Sequence, residues 1–107
     1  MIWAKVSFQF EGIHRWDDAK GEVEFLKNPH RHMFYVVVWV EQKHNDRDVE
    51  YIALKRFLSD KMSGIKDLGT RSCEQIAEEI INILGSKFGG RFKVEVSEDG
   101  ENGCLIE

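Results

Sequence analysis

The sequence predicts an α+β fold in which an antiparallel β-sheet carries two helices packed on one face. Three observations predict it: strand-like alternation near the start, helical spacing of apolar residues in the middle, and two short alternating segments near the end. Because strands flank a pair of helices, we expect the order ββααββ in a single domain covering residues 1–107.

The first half of the chain contains the strand signals. Residues 2–11 are apolar at the even positions, which predicts a strand with one buried face. Val23 and Phe25 predict a short strand after a polar loop at 15–21. Residues 33–41 are apolar at both even and odd positions, so we expect a central strand that is covered on both sides.

In the second half of the chain the spacing of the apolar residues changes from a strand-like to a helical period. A polar hairpin turn is predicted at 44–47, followed by a short strand ending near Tyr51, a first helix up to Met62 and a loop at 63–70. Ser72 and Gln75 form a capping-box pattern that predicts the start of a second helix, and we expect the helix to end at Gly85 or, at the latest, at Gly89-Gly90. Two last strands are expected around 92–96 and 104–106.

Composition narrows the function classes. The formal charge is −4 and no long basic run occurs, which weighs against non-specific nucleic-acid binding. The apolar run at 33–40 is too short to cross a bilayer, and the N-terminus lacks a signal-peptide pattern. Cys73 and Cys104 form neither a CxxC motif nor a disulfide framework, so we expect a protein of the reducing cytoplasm.

Three of the four histidines form a pattern that is typical of a metal site. His30 and His32 are separated by one residue, which on a strand places both imidazoles on one face about 7 Å apart. His14 continues the even phase of the first strand, so the three rings meet if the two strands pair. Three histidines and an open position are typical of catalytic zinc. The alternative is that the HxH pair has no ligand, as in most such pairs; His44 lies in the turn and is expected to be solvated.

Five segments, taken in order, resemble the 6-pyruvoyl-tetrahydropterin synthase and 6-carboxytetrahydropterin synthase family. They are a phenylalanine-alternating strand ending in a histidine (8–14), a His-x-His pair before an apolar strand (30–36), an acidic-aromatic-x-x-Leu-Lys segment (50–55), a capped helix start (72–77) and a Val-x-Val-x-Glu strand (94–98).

The resemblance implies a tunnelling fold, in which the sheets of several subunits join and the ligand sites lie between subunits. It implies a Zn²⁺ cofactor held by His14, His30 and His32. It also implies that Glu98 anchors a pterin or purine-like ring, because a carboxylate accepts two parallel hydrogen bonds from such an edge. Ser72 and Cys73, at the start of the second helix, lie on the ligand-binding side.

The chain departs from the family at the groups that move protons. The expected cysteine is replaced by Leu26, so a nearby glutamate, Glu24 or Glu22, is one candidate. The expected Asp-His pair is matched only by Asp60 followed by a lysine. Cys73 is a third candidate, because a helix N-terminus can lower the pKa of a thiol, although a small buried cysteine is the commoner case.

Three hypotheses follow for the function. The first is a zinc-dependent lyase or synthase of a pterin or deazapurine pathway, acting on a pterin or guanine-derived small molecule with altered catalytic residues. The second is a non-catalytic module of the same fold that binds a purine-like ligand or a protein partner. The third is a structural oligomer without a ligand.

Overall fold

A computed structural model describes residues 1–64 and 66–107. In chain order the elements are β1 (Ile2–His14), a 3₁₀ helix (Gly21–Lys27), β2 (His30–Gln42), α1 (Tyr51–Lys61), β3 (Lys66–Gly69), α2 (Cys73–Gly85), β4 (Phe92–Glu98) and β5 (Asn102–Ile106). The predicted α+β class is confirmed, and so are the capping box of Ser72 with Gln75 and the end of α2 at Gly85.

The five strands form one sheet in the order β3-β1-β2-β4-β5. The pairs β1–β2, β2–β4 and β4–β5 are antiparallel, whereas β3 pairs parallel with the end of β1. The sheet is therefore mixed, and the prediction of a purely antiparallel sheet is wrong at this edge. The predicted order ββααββ is also incomplete, because it has no strand at the position of β3. That segment was predicted to be part of a loop at 63–70. Ile65 in that loop lies outside the described residues.

The core lies between one face of the sheet and the two α-helices. Even-numbered residues of the long strands point into it, because side chains alternate between the two faces of a strand. Helix α1 packs on β1 and α2 packs on β4 and β5, so both helices cover the same face, as predicted. Leu54 and Leu58 of α1, with Ile76 and Ile80 of α2, are almost fully buried.

Two local predictions are wrong for a common reason. Val23 and Phe25 lie in the 3₁₀ helix rather than in a strand, and the Phe25 side chain is 66% exposed. Tyr51 begins α1, where the Glu50 carboxylate accepts a hydrogen bond from the backbone N–H of Ile52. The polar segment 44–47 therefore joins β2 to a helix and not to a hairpin partner. In each case a few alternating residues were too short a pattern to define a strand.

Strand β2 is central, as its sequence predicts. Its even residues from 34 to 40 are buried under the helices, whereas Val37 and Trp39 on the opposite face are only half-buried and Tyr35 is exposed. The expected cover on that second face is not supplied by the described part of the chain. Among the described residues, no helix has both the length and the apolar character needed to cross a membrane.

Candidate metal centre

Strand pairing brings the three predicted histidines together at one end of the sheet. His14 is the register partner of His30, and Gly12 is the partner of His32. All three histidines share the even phase and hence one face of the β1–β2 pair. The ring centroids lie 4.6 Å apart for His14 and His30, 5.4 Å for His14 and His32, and 5.0 Å for His30 and His32.

Each imidazole uses its Nδ1 atom for an acceptor outside the cluster. Nδ1 of His14 lies 2.8 Å from the backbone oxygen of Arg71, and Nδ1 of His30 lies 2.8 Å from that of Asn28. Nδ1 of His32 lies 2.8 Å from Oδ2 of Asp99. Carbonyl and carboxylate oxygens only accept hydrogen bonds, so we assign the Nδ1–H tautomer to all three rings from these partners. The Nε2 lone pairs then point into the cluster.

Glu98 adds a carboxylate to these lone pairs. It ends β4 opposite Phe34 of β2, and its Oε2 atom lies 2.9 Å from Nε2 of His14 and 3.4 Å from Nε2 of His32. The shorter distance is within hydrogen-bond range, but the two groups are not aligned for a hydrogen bond. Nε2 of His14 is therefore a buried polar atom without a hydrogen-bond partner among the described residues. Leaving such an atom unsatisfied costs about 1–3 kcal/mol.

The donor set fits a zinc ion. One ligand atom from each of His14, His30, His32 and Glu98 lies within 4.8 Å of all the others. In a tetrahedral zinc site with bonds of about 2.0–2.1 Å, the ligand atoms are about 3.3 Å apart, close to the two nitrogen–oxygen distances given above. A cation would satisfy four acceptors that otherwise face one another. Metal-bound histidines characteristically donate their other N–H to a carbonyl or carboxylate, as these three do.

Phe34 and Gly12 form the floor under the histidines. The Phe34 ring is fully buried and lies edge-on to His14 and His32, with centroid distances of 5.3 and 5.8 Å. Gly12 leaves the space that the Phe34 ring and Leu68 occupy, since a Cβ at this position would lie 2.5 Å from Cδ1 of Leu68 and 2.9 Å from Cε2 of Phe34. The absence of a side chain at Gly12 therefore allows an apolar floor to approach the backbone of β1.

Asp99 follows Glu98 and ties the β4–β5 turn to β2. Its backbone N–H donates to the oxygen of Met33 at 2.7 Å, and its Oδ1 accepts from the backbone N–H of Met33 at 3.1 Å. The hydrogen bond with His32 is the main cause that lowers the pKa of Asp99, and the bond from Met33 is the second. The carboxylate is thus held in the ionised form, which accepts the hydrogen bond from Nδ1–H of His32.

A cavity of about 510 Å³ opens beside the cluster. Its walls come from the ends of β1 and β4, the 3₁₀ segment and the starts of β2, α2 and β5. The lining residues are His14, Arg15, Trp16, Leu26, His30, Thr70, Ser72, Cys73, Glu74, Glu98, Asn102 and Gly103. Small-molecule sites usually have volumes of about 300–1,000 Å³, so the cavity suits a compact ligand that would contact the histidines directly.

Ser72 and Cys73 line this cavity, and their role in ligand binding stays a prediction. The Ser72 hydroxyl accepts from the backbone N–H of Gln75 and therefore holds the start of α2 in place. Burial raises the pKa of the Cys73 thiol to about 12, with further contributions from the negative charges of Glu98, Cys104 and Glu74. The thiol is thus neutral near pH 7, and the helix N-terminus does not activate it.

The structure does not bring Asp60 or Glu24 to the histidines. Asp60 is exposed at the C-terminal end of α1, and Glu24 is exposed on the 3₁₀ helix, where it pairs with Lys27 at 3.4 Å. Neither carboxylate is among the residues that line the cavity. Their assignment as proton carriers stays a prediction from the sequence.

Sequence reasoning missed Asp99 and the Arg71 carbonyl, which hold two of the three histidines. Asp99 belongs to an acidic, glycine-containing segment that was interpreted only as a turn, although its position directly after Glu98 was a usable signal. The sequence contains no signal for the Arg71 carbonyl, because its position beside His14 depends on the pairing of β3 with β1. Glu74 was also missed; it is the second carboxylate on the cavity wall.

A scan against models of known protein families gives no match to this chain. A search of the curated proteins likewise finds no matching relative. The case for the site therefore rests on its own geometry.

Proposed function

We propose that this protein is a zinc-dependent enzyme of the lyase or synthase type, acting on a pterin or guanine-derived small molecule of a pterin or deazapurine pathway. The observation that carries the proposal is the convergence of one ligand atom from each of His14, His30, His32 and Glu98 beside a cavity of about 510 Å³. His14, His30 and His32 would hold the zinc. When bound, the metal would polarise a carbonyl or hydroxyl group of the ligand.

The chain's own residues would bind and orient the ligand. Glu98 faces both the cluster and the cavity; with a ligand bound, its carboxylate would pair with the N–H and amine edge of a guanine-like ring and leave the fourth zinc position to the ligand. Ser72 and Cys73 would form the wall at the start of α2, and Trp16 would add an aromatic surface to the lining. The ligand would then lie between the histidines and α2.

Proton transfer in this cavity falls to carboxylates. The neutral Cys73 thiol is a poor base, since its pKa is raised to about 12. Glu98 and Glu74 are the carboxylates that line the cavity among the described residues. Because Glu98 is assigned to the ring edge, we favour Glu74 over Asp60 and Glu24 as the group that accepts a proton from the ligand.

The proposal includes a homo-oligomer that works in the cytoplasm. Trp39, Val37 and Leu105 lie on the face of the sheet that the helices leave open, and Leu105 is 50% exposed. Contact with a second copy would remove this apolar area from water. The free cysteines Cys73 and Cys104 suit a reducing compartment.

Elemental analysis of purified protein tests the metal centre. We expect about one zinc per chain, and a large loss of zinc in His14→Ala, His30→Ala and His32→Ala. His44→Ala is the matched control, because His44 lies in the exposed turn after β2, at the far end of that strand. Full zinc content in His30→Ala, or equal loss in His44→Ala, would contradict the proposed centre.

The second candidate is a non-catalytic module that binds a purine-like ligand or a protein partner. It is favoured by the placement of Asp60 and Glu24 outside the cavity and by the neutral Cys73 thiol. Turnover of dihydroneopterin triphosphate, followed by fluorescence, separates the two. Product formation that is lost in His30→Ala supports the enzyme, whereas tight ligand binding without conversion supports the module.

A further inference from the structure

The turn that follows β4 carries a residue with an unusual backbone conformation. Asp99 has a φ of +57°, in the left-handed region that favours glycine. Aspartate tolerates this region better than most residues, at a cost that surrounding contacts must offset. Gly100, the next residue, has a φ of +74°, and an Asp-Gly pair with positive φ at both residues is typical of a tight β-hairpin turn. The role of Asp99 in the site is therefore argued from the contacts of its side chain.

That side chain makes two contacts, both with β2. One oxygen accepts from the backbone N–H of Met33 at 3.1 Å, and the other lies 2.8 Å from Nδ1 of His32. The contact with Met33 fixes the rotation of the carboxylate, and the contact with His32 then holds the imidazole ring in place. Of the three histidines in the cluster, His32 is the one whose Nδ1 partner is a charged group; His14 and His30 use backbone carbonyls.

We propose that Asp99 is a positioning residue of the metal centre, which holds the Nε2 atom of His32 towards the ion and raises its strength as a ligand. The inference rests on the proposed zinc centre. A carboxylate hydrogen-bonded to Nδ1–H fixes the tautomer and increases the electron density at Nε2. Removing such a partner typically lowers metal affinity by about 10–100-fold. His14 and His30 would retain their carbonyl partners and still bind.

Two variants separate the carboxylate from the backbone conformation. Asp99→Gly keeps a residue that adopts positive φ readily but removes both side-chain hydrogen bonds. Asp99→Asn keeps a residue tolerant of this conformation and one acceptor oxygen, but removes the charge. Zinc affinity is measured by competition with a chromophoric chelator, and the cobalt-substituted protein gives a visible spectrum that reports the ligand field. Circular dichroism checks that each variant is folded.

Asp48→Asn is the matched control. Asp48 also accepts from a backbone N–H, that of Lys43 at 2.7 Å, and also lies near a histidine, with Oδ1 3.5 Å from Nε2 of His44. It differs in lying at the opposite end of β2 from the cluster. A purely structural role for Asp99 would change the stability and leave the cobalt spectrum unaltered.

We expect zinc affinity to fall by about 10–100-fold in Asp99→Gly and by less in Asp99→Asn, with a shifted cobalt spectrum in both and no change in Asp48→Asn. If Asp99→Gly does not fold, Asp99→Asn carries the test alone. Wild-type affinity and spectrum in a folded Asp99 variant would overturn the inference while leaving the zinc centre intact. A wild-type chain that binds no zinc would overturn both.

Discussion

Gly12→Ala should destabilise the protein because the added methyl group has no space. Its Cβ would lie 2.5 Å from Cδ1 of Leu68 and 2.9 Å from the Phe34 ring, and both side chains are buried. Overpacking of a core costs about 1–3 kcal/mol. The loss of chain entropy in the unfolded state offsets about 0.4–1 kcal/mol of this. We therefore expect the free energy of unfolding to fall by about 1–2 kcal/mol.

Thermal and urea unfolding of the metal-free protein measure this change. For a domain of this size, 1 kcal/mol corresponds to about 4 °C, so the midpoint should fall by about 4–8 °C. Gly85→Ala is the control, because none of the residues that the structure describes lies within 4 Å of a Cβ at this helix position. It should match the wild type or exceed it by up to about 1 kcal/mol. A Gly12→Ala midpoint equal to or above that of the wild type would refute the packing argument.

Two further predictions concern the start of α2. Ser72→Ala removes the hydroxyl that caps Gln75, so thermal unfolding should show a loss of about 1 kcal/mol, whereas an unchanged midpoint would mean that the capping box contributes nothing. For Cys73, the folded thiol has a pKa of about 12 against an ordinary 9.0, so the unfolded state loses the proton first as the pH rises. The free energy of unfolding of the metal-free protein should therefore fall between about pH 9 and 12. This fall should be smaller in Cys73→Ala, and equal slopes in the two proteins would contradict the buried-thiol argument.

The long elements could be predicted from the sequence because their apolar patterns repeat many times. Strand β1 has five even apolar positions, and α2 has an apolar stripe with a capping box. Both patterns are long enough to define the type of element. Strand β3 could not be found this way. It has four residues, of which Leu68 is the one buried side chain, and its pairing with β1 depends on the tertiary fold.

The same distinction applies to the candidate site. The phase of His14, His30 and His32 follows from strand alternation, so their shared face was predictable once β1 and β2 were paired. The proximity of Glu98 to Nε2 of His14 could not be predicted from the sequence, because it depends on the register between β2 and β4. Backbone partners such as the Arg71 carbonyl carry no residue signature, and they follow only from the path of the chain after β3.

Glu98 and Asp99 are neighbours in the sequence, and both contact the histidine cluster. Adjacent residues of a regular strand point to opposite faces, so two neighbouring carboxylates would normally be separated by the sheet. The left-handed conformation of Asp99 ends the regular alternation of β4 directly after Glu98. Glu98 therefore contacts the Nε2 side of the histidines, while Asp99 contacts the Nδ1 side of His32. Any residue inserted between the two carboxylates would shift the turn and should remove one contact or the other, which makes their spacing as important to the site as their charge.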